Sequence, residues 1–164
     1  AIAFTIWASI EEIFKFGLVY FIALRQKFTD EPVDDMIYLI VGALGFVTLE
    51  NTLFLLEPIR NGDIISTIIN SNLRFLGASL VHIMSSATIG IMMGLSFYKS
   101  SATKREYTIF GIILAIVLHT GFNLFIINQV NGNIFFIFGM VWVGIVIVLL
   151  LFEKVKNIPY KLCS

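Results

Sequence analysis

Apolar residues in this chain fall into long blocks separated by short polar connectors. The blocks cover about residues 1–24, 36–56, 75–98, 107–127 and 134–152. Each is close to or above the roughly 20 residues needed to cross about 30 Å of hydrocarbon. A backbone in lipid must satisfy its own hydrogen bonds, which predicts helices for such runs. The ten-residue alternation of a membrane barrel is missing. The pattern therefore predicts an all-α, polytopic membrane bundle of about five transmembrane helices, forming one unit over residues 1–164. Between the second and third blocks, Ile64, Ile65, Ile68 and Ile69 share a helical face, with Ser66, Thr67, Asn70 and Ser71 off it. That amphipathic stretch predicts a short interfacial helix, the alternative being an extension of the third span. Pro32, Pro58 and Pro159 all lie outside the apolar blocks, as unbroken spans require.

Composition points the same way. Hydrophobic residues make up 58% of the chain and charged residues 13%, against about 25% charge in ordinary soluble proteins. With 11 basic and 11 acidic side chains the net charge is zero, so the chain has no basic footprint for nucleic acid. Cys163, the only cysteine, excludes an internal disulfide or a multi-cysteine metal site, and sits one residue too close to the end for a prenylation box. Ala1 opens directly into an apolar run with no basic segment before it. That run does not read as a signal peptide, and further helices upstream are expected. Arg25 and Lys27, then Lys99, Lys104 and Arg105, then Lys154, Lys156 and Lys161 fall on one side if all the spans cross. The positive-inside rule makes that side cytoplasmic and predicts a multi-pass protein, with the bacterial plasma membrane as its expected location.

Several polar side chains interrupt the spans. Glu11, Glu12 and Lys15 lie in the first, and Glu50 and Asn51 in the second. His82, Ser85 and Ser86 lie in the third, and His119 and Asn123 in the fourth. A charge at mid-membrane costs roughly 2.5–3.5 kcal/mol on insertion scales, so these groups should face the bundle interior or a wet cavity. Glu11 is 14 residues from Arg25, Glu50 15 from Asp35, His82 17 from Lys99 and His119 14 from Arg105. At about 1.5 Å per residue all four lie roughly 21–25 Å from the cytoplasmic flank. Shared depth predicts one site in the outer half of the membrane. Glu11 and Lys15, four residues apart, predict an ion pair along the helix, leaving Glu12 for another partner.

Two imidazoles and a carboxylate at one depth suit hydrolysis in two ways. A glutamate can act as general base on water while His and Asn stabilise the oxyanion. Alternatively, Glu12, His82 and His119 can hold zinc while a second carboxylate acts as base, although no compact motif such as HExxH is present. A serine mechanism on Ser85 or Ser86 has only His82 of the same helix beside it. Structural roles compete with each assignment. The histidines can be interhelical hydrogen-bond partners, Lys15 a counter-ion, and Asn51 a stitch between helices. The same carboxylates would serve an ion-coupled transporter, but the repeats and broken helices of carriers are not evident. A non-catalytic membrane scaffold of the same fold is the third reading.

The segments EEIFK (Glu11–Lys15), DDMIYLIVGALGFVTLEN (Asp34–Asn51), RFLGASLVHIMSSATIG (Arg74–Gly90) and HTGFN (His119–Asn123) together resemble the PrsW family of intramembrane proteases. That family is related to the type II CAAX prenyl endopeptidases and Abi proteins. The resemblance implies that Glu11 and Glu12 are the catalytic carboxylates and that His82 and His119 polarise water and the scissile carbonyl. It further implies that Asn123 helps to hold the oxyanion, with Lys15, Glu50, Asn51 and Ser86 supporting the site. The implied substrate is a single-pass membrane protein cut near the outer face, such as an anti-sigma factor, by a glutamic-type or zinc-dependent reaction. Lys15 closes the glutamate motif where CAAX-type proteins place an arginine one residue later, which favours PrsW over prenyl processing.

Overall fold

A computed structural model describes the backbone of residues 2–27, 29–62, 64–128 and 134–159, with the side chains of 57, 58, 64–76, 126–128, 134, 135, 137 and 138 outside that description. The described chain is helical throughout: α1 (Ile2–Val19), a π-helical turn (Tyr20–Leu24), α2 (Asp34–Arg60), α3 (Ile64–Leu95), α4 (Ser101–Asn128) and α5 (Ile134–Lys156). Three of these helices contain stretches long and apolar enough to cross a membrane: Asp34–Leu56, Gly77–Leu95 and Ser101–Phe125. Together they mark a membrane protein. In α1 the charged residues Glu11, Glu12 and Lys15 interrupt the apolar run.

Polarity in α1 is inverted relative to a soluble amphipathic helix. Ala8, Glu11, Glu12, Lys15 and Val19 are buried on one stripe, whereas Ile6, Trp7, Ile10, Ile13 and Phe14 are exposed on the other. On α5, Trp142, Val143, Val146, Ile147 and Leu150 are also exposed. Such surfaces would be untenable in water but are the expected outer face of a bundle solvated by acyl chains.

At the centre lies α3, which packs against each of the other helices. Glycines set how closely it is approached. A Cβ on Gly90 would stand 2.5 Å from Met36 Cα, and one on Gly94 would stand 2.6 Å from the Pro32 carbonyl oxygen. The backbones of α2 and the preceding connector therefore touch α3 directly, the close approach that small residues permit in membranes. On the other side, Gly111 brings α4 against Ile89 and Met92. Val19, Leu39, Ile89 and Ala115 form an apolar floor drawn from α1, α2, α3 and α4.

The connector before α2 is held by Asp34, whose Oδ2 accepts from the amides of Asp30 (3.0 Å) and Glu31 (2.8 Å). Gly45 and Gly121, in contrast, have open space where a Cβ would stand.

Several predicted boundaries move. No separate interfacial helix forms at 61–73, because Ile64 begins one continuous helix that runs to Leu95. The break falls earlier, at Gly62, whose φ of 74° suits a residue without a Cβ. No Gly or Pro then interrupts the chain before Gly77. The fourth helix starts at Ser101, not near Tyr107, with Ser100 Oγ accepting from the Thr103 amide at 3.3 Å. A serine cap here starts the helix ahead of its apolar stretch. Likewise α2 runs past Leu56 through Pro58 to Arg60.

Candidate active site

Four helices deliver the polar side chains. The buried stripe of α1 carries Glu11, Glu12 and Lys15 inward, while α3 and α4 contribute the buried His82 and His119. From α2 comes Glu50, whose side chain retains 27% exposure where the other members of the cluster retain 9% or less. Glu50 therefore marks the open side of the cluster.

The contacts form one continuous chain. Glu50 Oε2 lies 2.9 Å from His82 Nε2. Lys15 Nζ lies 3.0 Å from His82 Nδ1 and donates to Glu12 Oε1 at 2.7 Å. Glu12 Oε1 also lies 2.7 Å from His119 Nδ1, and His119 Nε2 faces Glu11 Oε2 at 3.5 Å. The two imidazoles meet edge to face, with centroids 4.7 Å apart.

The predicted convergence of Glu11, Glu12, Lys15, Glu50, His82 and His119 is thus a set of direct contacts. The predicted pairing within α1 is different: Lys15 pairs with Glu12, not Glu11. Residues three apart are helical neighbours as readily as residues four apart, and Glu11 is drawn to His119.

Other predicted site residues play different parts. Asn51 is a helix stitch, its Nδ2 donating to Ser79 Oγ at 3.5 Å across α2 and α3. Ser86 is buried one turn from His82. Asn123 is half-buried one turn from His119, and among the described residues no hydrogen bond joins it to the cluster. Ser85 Oγ is buried without a hydrogen-bond partner among the described residues. Sequence reasoning missed Phe46, whose ring lies 5.4 Å from the His82 ring and 5.6 Å from Lys15 Nζ. Its position one turn before Glu50 was the available signal.

The donor set suits a divalent cation. Glu11, His82 and His119 each offer a ligand atom, and these atoms lie within 4.8 Å of one another. Two ligands at zinc-like bond lengths and a tetrahedral angle stand about 3.3–3.5 Å apart, the spacing of Glu11 Oε2 and His119 Nε2. Three carboxylates, Glu11, Glu12 and Glu50, stand against the single amine of Lys15, an acidic excess that a divalent ion would offset. The third donor differs from the sequence expectation. Glu12 turns its Oε1 to Lys15 and His119 Nδ1, and Glu11 stands in its place among the donors that could hold an ion.

Fold and site together define a helical membrane protein with a buried Glu/His centre. Comparison with known proteins supplies the family. Residues 1–152 match the PrsW family intramembrane metalloproteases, and the chain belongs to that family. It is 34% identical over 120 residues to Protease PrsW of Geobacillus kaustophilus, covering 71% of this chain and 48% of that protein. Protease PrsW of Shouchella clausii is 24% identical over 155 residues, covering 94% of this chain and 66% of that protein. The chain spans about half the length of the first curated relatives it matches. No solved structure matches it.

Proposed function

We propose that this chain carries the catalytic centre of an intramembrane endopeptidase that cleaves a single-pass membrane protein near the outer face of a bacterial plasma membrane. The observation that carries the reading is the unbroken chain of contacts from Glu50 to Glu11, built from four helices inside an otherwise apolar bundle. Structural polar residues need no such convergence, whereas peptide hydrolysis needs a base, a proton carrier and an oxyanion partner within reach of one carbonyl. The name Protease PrsW borne by its relatives supports the same activity.

In this mechanism water enters on the Glu50 side and is held against Glu11. The Glu11 carboxylate takes a proton from that water as it attacks the scissile carbonyl. His119, with Nε2 beside Glu11 Oε2, relays the proton toward the leaving amine. His82 faces the developing oxyanion, and Asn123 supplies an amide donor one turn along α4. Lys15 and Glu12 lock the imidazoles in place from behind. In a metal-dependent version of the reaction Glu11, His82 and His119 would instead hold a divalent ion, zinc foremost, and a second carboxylate would act as base. Such an ion supplies Lewis acidity and lowers the pKa of water. Five crossings with the basic connectors in the cytoplasm would set the cluster in the outer leaflet. A single-pass substrate, an anti-sigma factor for example, would present its juxtamembrane segment there.

Profiling the N-termini of membrane proteins in host cells tests this without knowing the substrate in advance. Cells with the wild-type chain should carry new N-termini on the outer side of single-pass proteins, and these should vanish with Glu11→Gln. Identical profiles in both strains would refute the activity.

A further inference from the structure

We infer that the scissile segment of the substrate reaches the cluster sideways, through a seam between α1 and α2, with Phe46 and Leu49 as the α2 wall that positions it. The seam is a matched pair of helix faces that closes at one end only. On α2, Gly42, Phe46, Leu49 and Leu53 recur at steps of four, three and four residues and so share a face. On α1, Thr5, Ser9, Glu12, Phe16 and Val19 do the same. At the Gly42 end the faces touch: a Cβ on Gly42 would overlap the Val19 side chain, and Phe16 packs on the apolar floor. Toward the other end they part. Ser9 is half-buried and Thr5 exposed, while Leu49 and Leu53 retain 60% and 59% exposure.

The seam opens at the level of the cluster. Phe46, its innermost α2 side chain above Gly42, stands beside the His82 ring, and Glu50 follows one turn later on the open side. The other flank of α1 is shut there. Glu11 and Glu12 both reach His119 of α4, and the neighbouring Thr120 is buried.

This route rests on the proposed function and names what fits it: the end of a single-pass transmembrane helix, unwound at the bond to be cut. A helix ties up its own carbonyls and is about 10–12 Å across, so a seam between two packed helices suits an extended chain. The helical remainder has a place as well. An apolar groove of about 470 Å³ runs along the adjoining surface of α1 from Thr5 and Ser9 to Phe14. Thr5 and Ser9 line both groove and seam, so one surface continues the α1–α2 interface outward. Leu49 and Phe46 give the seam an apolar wall, which favours apolar residues beside the scissile bond.

Photocrosslinking tests the route. The photoreactive residue p-benzoylphenylalanine is placed at Leu49 in the Glu11→Gln chain, in membranes holding a single-pass substrate found by N-terminal profiling. Leu49 should capture that substrate close to its cleavage site. The same probe at Val117, exposed on the outward face of α4, should not. In the active chain, Leu49→Trp should raise KM about tenfold with kcat nearly constant, the pattern of binding lost to an overfilled seam. Val117→Trp should alter neither.

Equal capture at Val117 would overturn the inference, as would Leu49 adducts of lipid or of a second copy of the chain alone, or an unchanged KM in Leu49→Trp. Should the probe at Leu49 prevent folding, Leu53 on the same face decides. A chain that cuts no membrane protein defeats the protease reading and this route with it. Normal cleavage without capture at Leu49 or Leu53 defeats the route alone.

Discussion

An α-helix rotates about 100° per residue, so the adjacent Glu11 and Glu12 leave α1 on different bearings and meet opposite nitrogens of the His119 ring. Glu12 is fully buried and bound on Oε1 by Lys15 and His119. Glu11 sits at the edge of the cluster, facing a single imidazole nitrogen. Substitution should separate them. Glu12→Gln strands a buried ammonium, and breaking a buried pair costs about 3–5 kcal/mol; the loss should appear as a lowered unfolding midpoint in detergent. Glu11→Gln should keep the wild-type midpoint and lose cleavage. Zinc binding by titration calorimetry should disappear in His119→Ala and persist in Asn51→Ala, whose side chain only joins α2 to α3.

Residue identities at the site were legible because carboxylates and imidazoles at mid-span stand out against hydrocarbon. Their pairing was not. Spacing on α1 allowed Lys15 to reach either glutamate, and only the positions of His82 and His119 on other helices decide between them. Phe46 was hidden for the opposite reason, as one aromatic ring among 16 phenylalanines.

At the scale of elements, α3 holds the bundle together through backbone contacts that only glycine permits. A methyl group on Gly90 would drive into the Met36 backbone, and overpacking of this kind costs about 1–3 kcal/mol. Gly90→Ala should therefore lower the unfolding midpoint, whereas Gly45→Ala, which meets open space, should leave it unchanged. A destabilisation of equal size at both positions would contradict the close packing of α2 on α3.

The apolar blocks predicted the order of the helices well, because length and hydropathy are properties of each segment alone. Their ends were predicted less well. Helices such as α3 and α4 continue beyond the apolar stretch wherever no Gly or Pro intervenes or a serine caps the backbone earlier. Hydropathy marks hydrocarbon thickness, and backbone hydrogen bonding marks where a helix stops.

Across the whole molecule, polarity is turned inside out. Charge collects at the junction of α1, α2, α3 and α4, while Trp7, Phe14, Trp142 and Leu150 face outward. Five crossings would put Ser100 on the cytoplasmic side and Asn61 on the outer side. In a Cys163→Ser background, a membrane-impermeant maleimide applied to intact cells should label Asn61→Cys and spare Ser100→Cys. Labelling of both, or of Ser100→Cys alone, would reverse or abolish that topology.

Catalysis by the Glu/His centre is tested most directly by the cleavage rate of a profiled single-pass substrate reconstituted with the purified protein in liposomes. Wild type and the lipid-face control Trp142→Ala should cut it at similar rates. Glu11→Gln, His82→Ala and His119→Ala should each be slower by about 100-fold or more, the usual loss on removing a general base or an oxyanion partner. Cleavage near the wild-type rate in any of the three would show that bond breaking takes place elsewhere.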